Sequence, residues 1–123
     1  MKEFLDQYKG NLYSVVIMDE KHLDLSLLNE QIGDASIVKD IVLKYLTHLE
    51  NQLVHLRSLS PEESHLEEIH RIAHSIRGGT GNIGALTLQA LAKELEYSAK
   101  RGQAETCGSQ IEKLWEAFIT LRE

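Results

Sequence analysis

Cysteine and proline are close to absent from this sequence: each occurs once, as Cys107 and Pro61. A single thiol excludes an internal disulfide and any all-cysteine metal site, and Cys107, beside Gly108, reads first as a small filler near a helix start. With one proline and 8 glycines, little interrupts the chain, so long helices are easier to write here than strands. Basic residues are also scarce. The 13 Lys and Arg against 19 Asp and Glu leave a net charge of −6, which argues against gripping nucleic acid through a basic face. Long apolar runs are missing too: the longest, Tyr13 to Met18, is interrupted by Ser14 and falls far short of the ~20 residues of a membrane span. The opening MKEFLDQYKG carries acids early and has no apolar signal core, so neither secretion nor membrane insertion is expected. A cytoplasmic protein, or a cytoplasmic piece of something larger, is the expectation.

What the sequence does have is helical periodicity, in a length of 123 residues that suits one domain. From about Ala35 to Leu59, with Asp34 as candidate N-cap, Val38, Val42, Tyr45, Leu49, Leu53 and Leu56 recur at threes and fours. A second helix is announced by Ser60-Pro61-Glu62-Glu63, which supplies a cap, a proline where a missing N–H is harmless, and a capping-box glutamate. Leu66, Ile69, Ala73, Ile76 and Thr80 follow on one stripe. A third helix, about Ala85 to Lys100, aligns Leu88, Leu91, Ala92, Leu95 and Ala99 and stops at Arg101-Gly102. The fourth, about Thr106 to Leu121, aligns Ile111, Leu114, Phe118 and Leu121. Four amphipathic helices with short connections predict an all-α, antiparallel up-down four-helix bundle over residues 23–123. Leu23 to Gln31 reads as a short helix ending at Gly33, and residues 1–22, chiefly Glu3 to Met18, as an N-terminal helix or linker. One or two short N-terminal helices therefore precede the bundle.

The second helix carries a stripe that does not read as core. Offset by one position from the apolar residues run Glu67, His70 or Arg71, His74, Arg77 or Gly78, and Gly81, all sharing one face. Gly78, Gly79 and Gly81 fall within four residues, and each costs a helix ~1 kcal/mol relative to Ala. Either the helix is ending there or something must approach its backbone. Ile76, Thr80 and Ile83 carry the apolar phase through the glycines, and Gly84 offers a better stop. An exposed neutral imidazole is a competent nucleophile near pH 7, and phosphorylating it calls for a fixed cation, which Arg77 one turn on can supply.

His74-Ser75-Ile76-Arg77-Gly78, followed by Gly79-Thr80-Gly81-Asn82-Ile83-Gly84-Ala85, resembles the signature of histidine-containing phosphotransfer domains. Ala73 and Leu88 fit the same pattern, and Leu28 with the turn Ile32-Gly33-Asp34 resembles the entry into that family's bundle, so the likeness spans roughly residues 23 to 121. The Gly-Asn-Ile-Gly turn looks most like domains at the C-terminus of hybrid sensor kinases. The resemblance implies phosphorylation of His74, charge support from Arg77, and access for a partner over Gly78. It also implies that Glu96 faces the reactive imidazole and fixes its tautomer; a solvated glutamate on a helix face is the alternative. Lys93 and Lys100 flank Glu96 as phosphate partners or as plain surface lysines.

The function so implied is a phosphorelay intermediate without autokinase activity. His74 would accept a phosphoryl group from a receiver-domain aspartate and pass it to another response-regulator receiver. No cofactor of its own is expected; Mg²⁺ would belong to the receiver. The partners are receiver domains of response regulators or of a hybrid sensor kinase, docking around His74 on the first two long helices, and the isolated domain is expected to be a monomer. A non-catalytic helical adaptor is the alternative. A metal site on His70 and His74 is the weaker one, since a zinc hydrolase would want Glu where Arg71 stands.

Overall fold

The computed structural model describes residues 23–122, and the expectations for residues 1–22 lie outside them. Among the described residues every regular element is helical: α1 (Ser26–Ile32), α2 (Ala35–Ser58), a 3₁₀ turn (Glu63–His65), α3 (Leu66–Asn82), α4 (Leu86–Lys100) and α5 (Ala104–Arg122).

Local chemistry sets most of these boundaries. Asp34 opens α2 in extended backbone, its carboxylate accepting from the Ser36 hydroxyl at 2.7 Å and the Ser36 amide at 2.9 Å. The Ser36 hydroxyl first, then the backbone amides, hold the Asp34 carboxyl below its usual range. Helix α3 ends in a Schellman motif, the Gly84 amide donating to the Gly81 carbonyl and the Ala85 amide to the Thr80 carbonyl. Gly84 sits at φ 66°, and the Asp24 backbone lies where a side chain would stand. The Asp24 amide donates to the Gly84 carbonyl at 3.2 Å, which pins the entering chain to the α3–α4 turn.

Three sequence expectations change here. The short N-terminal helix begins at Ser26, not Leu23; Leu23 and Leu25 precede it and are buried in the core. The capping box at Ser60 does not form. Glu62 is extended, α3 starts only at Leu66, and the Ser60 carbonyl takes the Glu62 amide and the His65 Nδ1 instead. Pro61 lies beside Gly108 of α5, where a side chain added at Gly108 would meet its ring. Helix α5 begins two residues earlier than its periodicity suggests, at Ala104.

One apolar cluster runs through all the long helices, with Leu46, Leu49, Leu53, Leu56, Ile69, Ile76, Leu95, Leu114 and Phe118 essentially without exposure. Leu46 takes its place beside Val42 and Leu49, while Tyr45 is only half-buried. Cys107 is fully buried there, and desolvation pushes its thiol pKa up, as suits a filler. α3 and α4 share the most extensive contact; α4 also packs on α5, and α2 on both α3 and α5. Buried Ala73, Ala92 and Ala99 leave little side chain to hold α3 and α4 apart. That close pairing positions the site.

Candidate functional site

Helix α3 runs unbroken through Gly78, Gly79 and Gly81, so the glycines do not end it. Thr80, buried among them, donates its hydroxyl to the Ile76 carbonyl at 2.5 Å, satisfying a polar group inside the core. A helix kept regular across this stretch holds two faces in register. Leu66, Ile69, Ala73, Ile76 and Thr80 point inward, while His70, His74, Arg77 and Gly78 line a surface flanked by α4.

His74 stands on that surface with 62% of its side chain exposed. Its Nδ1 lies 2.9 Å from Oε2 of Glu96 on α4, whose side chain is only 12% exposed. An ionised carboxylate can only accept, so in the neutral imidazole this contact selects the Nδ1–H tautomer and leaves the lone pair on Nε2. Arg77 Nη1 is 3.2 Å from Glu96 Oε1. This contact is an ion pair by distance without an aligned hydrogen bond, for Oε1 is buried with no directional partner. Arg77 Nη2 also comes within 3.4 Å of His74 Nδ1. With the Nδ1 proton committed to Glu96, that approach is proximity of charge and not a second hydrogen bond. The carboxylate thus orients the imidazole, and the guanidinium neutralises the carboxylate.

The glycines divide into two kinds. A methyl group on Gly79 would run into the Tyr45 ring, so the fold fills its space, while one on Gly81 would meet only the mobile end of the Gln89 side chain. A methyl on Gly78 meets nothing within 4 Å. Gly78 is exposed, one helical turn beyond His74, in an ordinary helical conformation, so packing gives no reason for it. Burial pushes the Tyr45 hydroxyl up to about 12, so it stays a neutral lid over Gly79.

Two depressions flank the His74–Gly78 ridge. One, of about 180 Å³, is lined by His70, Arg77, Glu96, Tyr97 and Lys100. The other, of about 320 Å³, lies beside Gly79 and is lined mainly by Leu27, Leu28, Ile41, Tyr45 and Ile83. At its edges Leu27 is 55% exposed and Ile41 38%. Of the residues singled out in the sequence, His74, Arg77 and Glu96 therefore meet directly, with Gly78 beside them. Lys100 lines the first depression; Lys93 is exposed on α4 outside it.

Sequence reasoning places His70 on the His74 face and weighs it as a metal ligand, but does not bring it to Glu96. His70 Nε2 is 3.8 Å from the same Oε2 of Glu96 that His74 holds. The four-residue spacing of His70 and His74 was the available signal, but which carboxylate they share is set by how α3 meets α4. No group of three or more His, Cys, Asp or Glu among the described residues is disposed to hold a metal ion.

A family model described as Hpt domain matches residues 40–123, more than half of the chain. No curated protein and no solved structure matches it.

Proposed function

This chain belongs to the Hpt domain family, whose members carry phosphoryl groups on histidine in two-component signalling and interact with receiver domains, and from there we propose that it is a phosphorelay intermediate with His74 as the phosphorylated residue. The observation that carries this reading is the 2.9 Å contact between His74 Nδ1 and Glu96, which leaves Nε2 free on an exposed ring.

In the proposed step the Nε2 lone pair attacks the phosphorus of a receiver's aspartyl phosphate. The N–P bond forms as the bond to the aspartate oxygen breaks, and the carboxylate leaves. The ring takes a formal positive charge, which the Nδ1–H···Glu96 contact stabilises. No proton has to move. In the onward step a second receiver's aspartate attacks phosphorus, and the imidazole leaves as the neutral Nδ1–H tautomer. Keeping the proton on Nδ1 thus serves both directions. Arg77 offers charge to the transferred oxygens, and Mg²⁺ belongs with the receiver in this reading, since phosphoryl transfer rests on positioning and neutralisation.

We place the receiver over Gly78, with the apolar depression of Leu27, Ile41 and Tyr45 beside it as a docking surface on α1, α2 and α3. The contacts of α2, α3, α4 and α5 fit an antiparallel up-down four-helix bundle. We read residues 23–123 as that unit, monomeric when isolated and cytoplasmic, either alone or carried by a hybrid sensor kinase. No helix among the described residues is long and apolar enough to cross a membrane. A helical adaptor would need the same core but has no use for a histidine oriented by a nearly buried carboxylate.

Incubation with a phosphorylated receiver tests the proposal. The wild-type chain should acquire an acid-labile, base-stable label, and His74→Gln should reduce its incorporation by at least about 10³-fold, as loss of a nucleophile does. Undiminished labelling of His74→Gln would refute it.

A further inference from the structure

Glu96 is claimed by two imidazoles. Oε2 accepts from His74 Nδ1 at 2.9 Å, while His70 Nε2, one turn earlier on α3, waits 3.8 Å away. At that distance His70 makes no hydrogen bond, but a protonated His70 would be an ion-pair partner. It is 37% exposed, so it can exchange protons with solvent, whereas Glu96 is largely screened from it.

Resting on the phosphorelay reading, we propose that His70 is the proton-linked counter-charge of the phosphorylated state, taking up a proton and pairing with Glu96 when His74 carries a phosphoryl group. Moving PO₃⁻ from a receiver onto a neutral imidazole adds one net negative charge to the cluster, two on the phosphoryl oxygens against the one positive charge of the ring, and Arg77 is then shared between Glu96 and the phosphoryl oxygens. The phosphoryl charge arrives on an exposed ring, where water screens part of it, but the carboxylate it faces across the imidazole is only 12% exposed.

The groups facing His70 leave few ways to answer it. On α4, Glu96, Tyr97 and Lys100 line the same depression; on α3, Glu67, Arg71, His74 and Arg77 lie within about two turns. Lys100, Arg71 and Arg77 are cations already. Tyr97 has no cationic form, and Glu67 and Glu96 are acids. His74 is the acceptor itself. Histidine is the side chain that passes from neutral to cationic around neutral pH, which leaves His70.

The sign follows from linkage. An added negative charge favours the imidazolium, so the phosphorylated protein binds more protons at His70 than the unphosphorylated one. The resulting preference for phosphorylation is present at low pH and is lost as pH rises through the titration of His70 in the phosphorylated state. Protonation of His74 itself opposes phosphorylation in acid, as does any titration of the receiver, so the effect is read against a variant that shares both.

The experiment uses the full chain with a Mg²⁺-loaded receiver domain that phosphorylates it. The equilibrium share of label on the chain is measured at pH 6 and pH 8 for the wild type and for His70→Gln. The pH 6 to pH 8 ratio should be roughly threefold smaller in the variant, which has no group to titrate there. In the wild type, independently of any substitution, the His70 ring resonances should titrate at higher pH in the phosphorylated protein than in the unphosphorylated one. An identical ratio in the two proteins, or a His70 titration that ignores phosphorylation, overturns the inference. If His74→Gln still accepts label, the phosphorelay reading has failed instead. If that variant is inert and His70→Gln keeps the wild-type ratio, only the role of His70 has failed.

Discussion

Gly79 and Gly78 stand side by side on α3, yet a methyl group added to the first runs into the Tyr45 ring, whereas one added to the second meets nothing within 4 Å. Gly79 belongs to the face that builds the molecule, together with Ala73, Ile76 and Thr80. Gly78 belongs to the face of His74 and Arg77, where neither packing nor backbone conformation explains the residues present. A glycine in an exposed, regular helix position costs about 0.5–1 kcal/mol relative to alanine. An expense the fold does not require points outside the fold, and the surface it clears lies one turn from an imidazole oriented by Glu96.

That contrast can be attacked at several points. Beyond His74 itself, the largest effect should come from Glu96. Glu96→Leu removes the acceptor for His74 Nδ1–H and should slow phosphoryl transfer about 10–100-fold, as lost orienting carboxylates do elsewhere. Glu96→Gln retains an acceptor oxygen and should recover most of the rate; stopped transfer assays on both variants read the difference. A stability effect is expected next, at Gly79. Gly79→Ala forces Tyr45 aside and should destabilise the domain by about 1–3 kcal/mol in urea unfolding. Tyr45 supplies a pH test of the same contact. Its pKa is raised to about 12, so the neutral phenol favours the fold below pH ~10, and that contribution is lost as pH rises through about 12. Tyr45→Phe should flatten stability over that alkaline window.

The smallest effect on the fold, and the sharpest for the comparison, is at Gly78. Gly78→Ala should raise stability by about 0.5–1 kcal/mol, the ordinary helix-interior gain. Gly78→Gln should leave unfolding little changed while slowing transfer from a receiver, because its side chain would project into the cleared space. If both substitutions destabilise the domain as Gly79→Ala does, the two glycines are not different in kind.

How much of this was legible beforehand follows from what each feature depends on. The long helices were written in local periodicity, and the stop at Gly84 in a residue that tolerates φ 66°. The passage of α3 through its glycines was readable because Ile76, Thr80 and Ile83 keep the apolar phase. The start of α3 is not legible locally: Ser60-Pro61-Glu62-Glu63 is a sound capping pattern, yet Glu62 is extended, the helix starts only at Leu66, and Pro61 lies beside Gly108, 47 residues on. Leu23 and Leu25 were assigned to a helix because their burial comes from the α3–α4 turn, which pins Asp24. Within the site, His74, Arg77 and Gly78 are close in sequence and so visible as a pattern. Glu96 came into view only through resemblance, and the approach of His70 to it not at all, because both depend on how two helices pack.

The most direct test of the central claim, that His74 presents an unprotonated Nε2 held in place through Nδ1, is NMR of the chain labelled with ¹⁵N in its histidine rings, before and after phosphorylation by a receiver. An Nδ1–H tautomer is expected for His74 in the free protein and, afterwards, phosphorus coupled to its Nε2. Phosphorus on Nδ1, or on any other histidine, would contradict that claim.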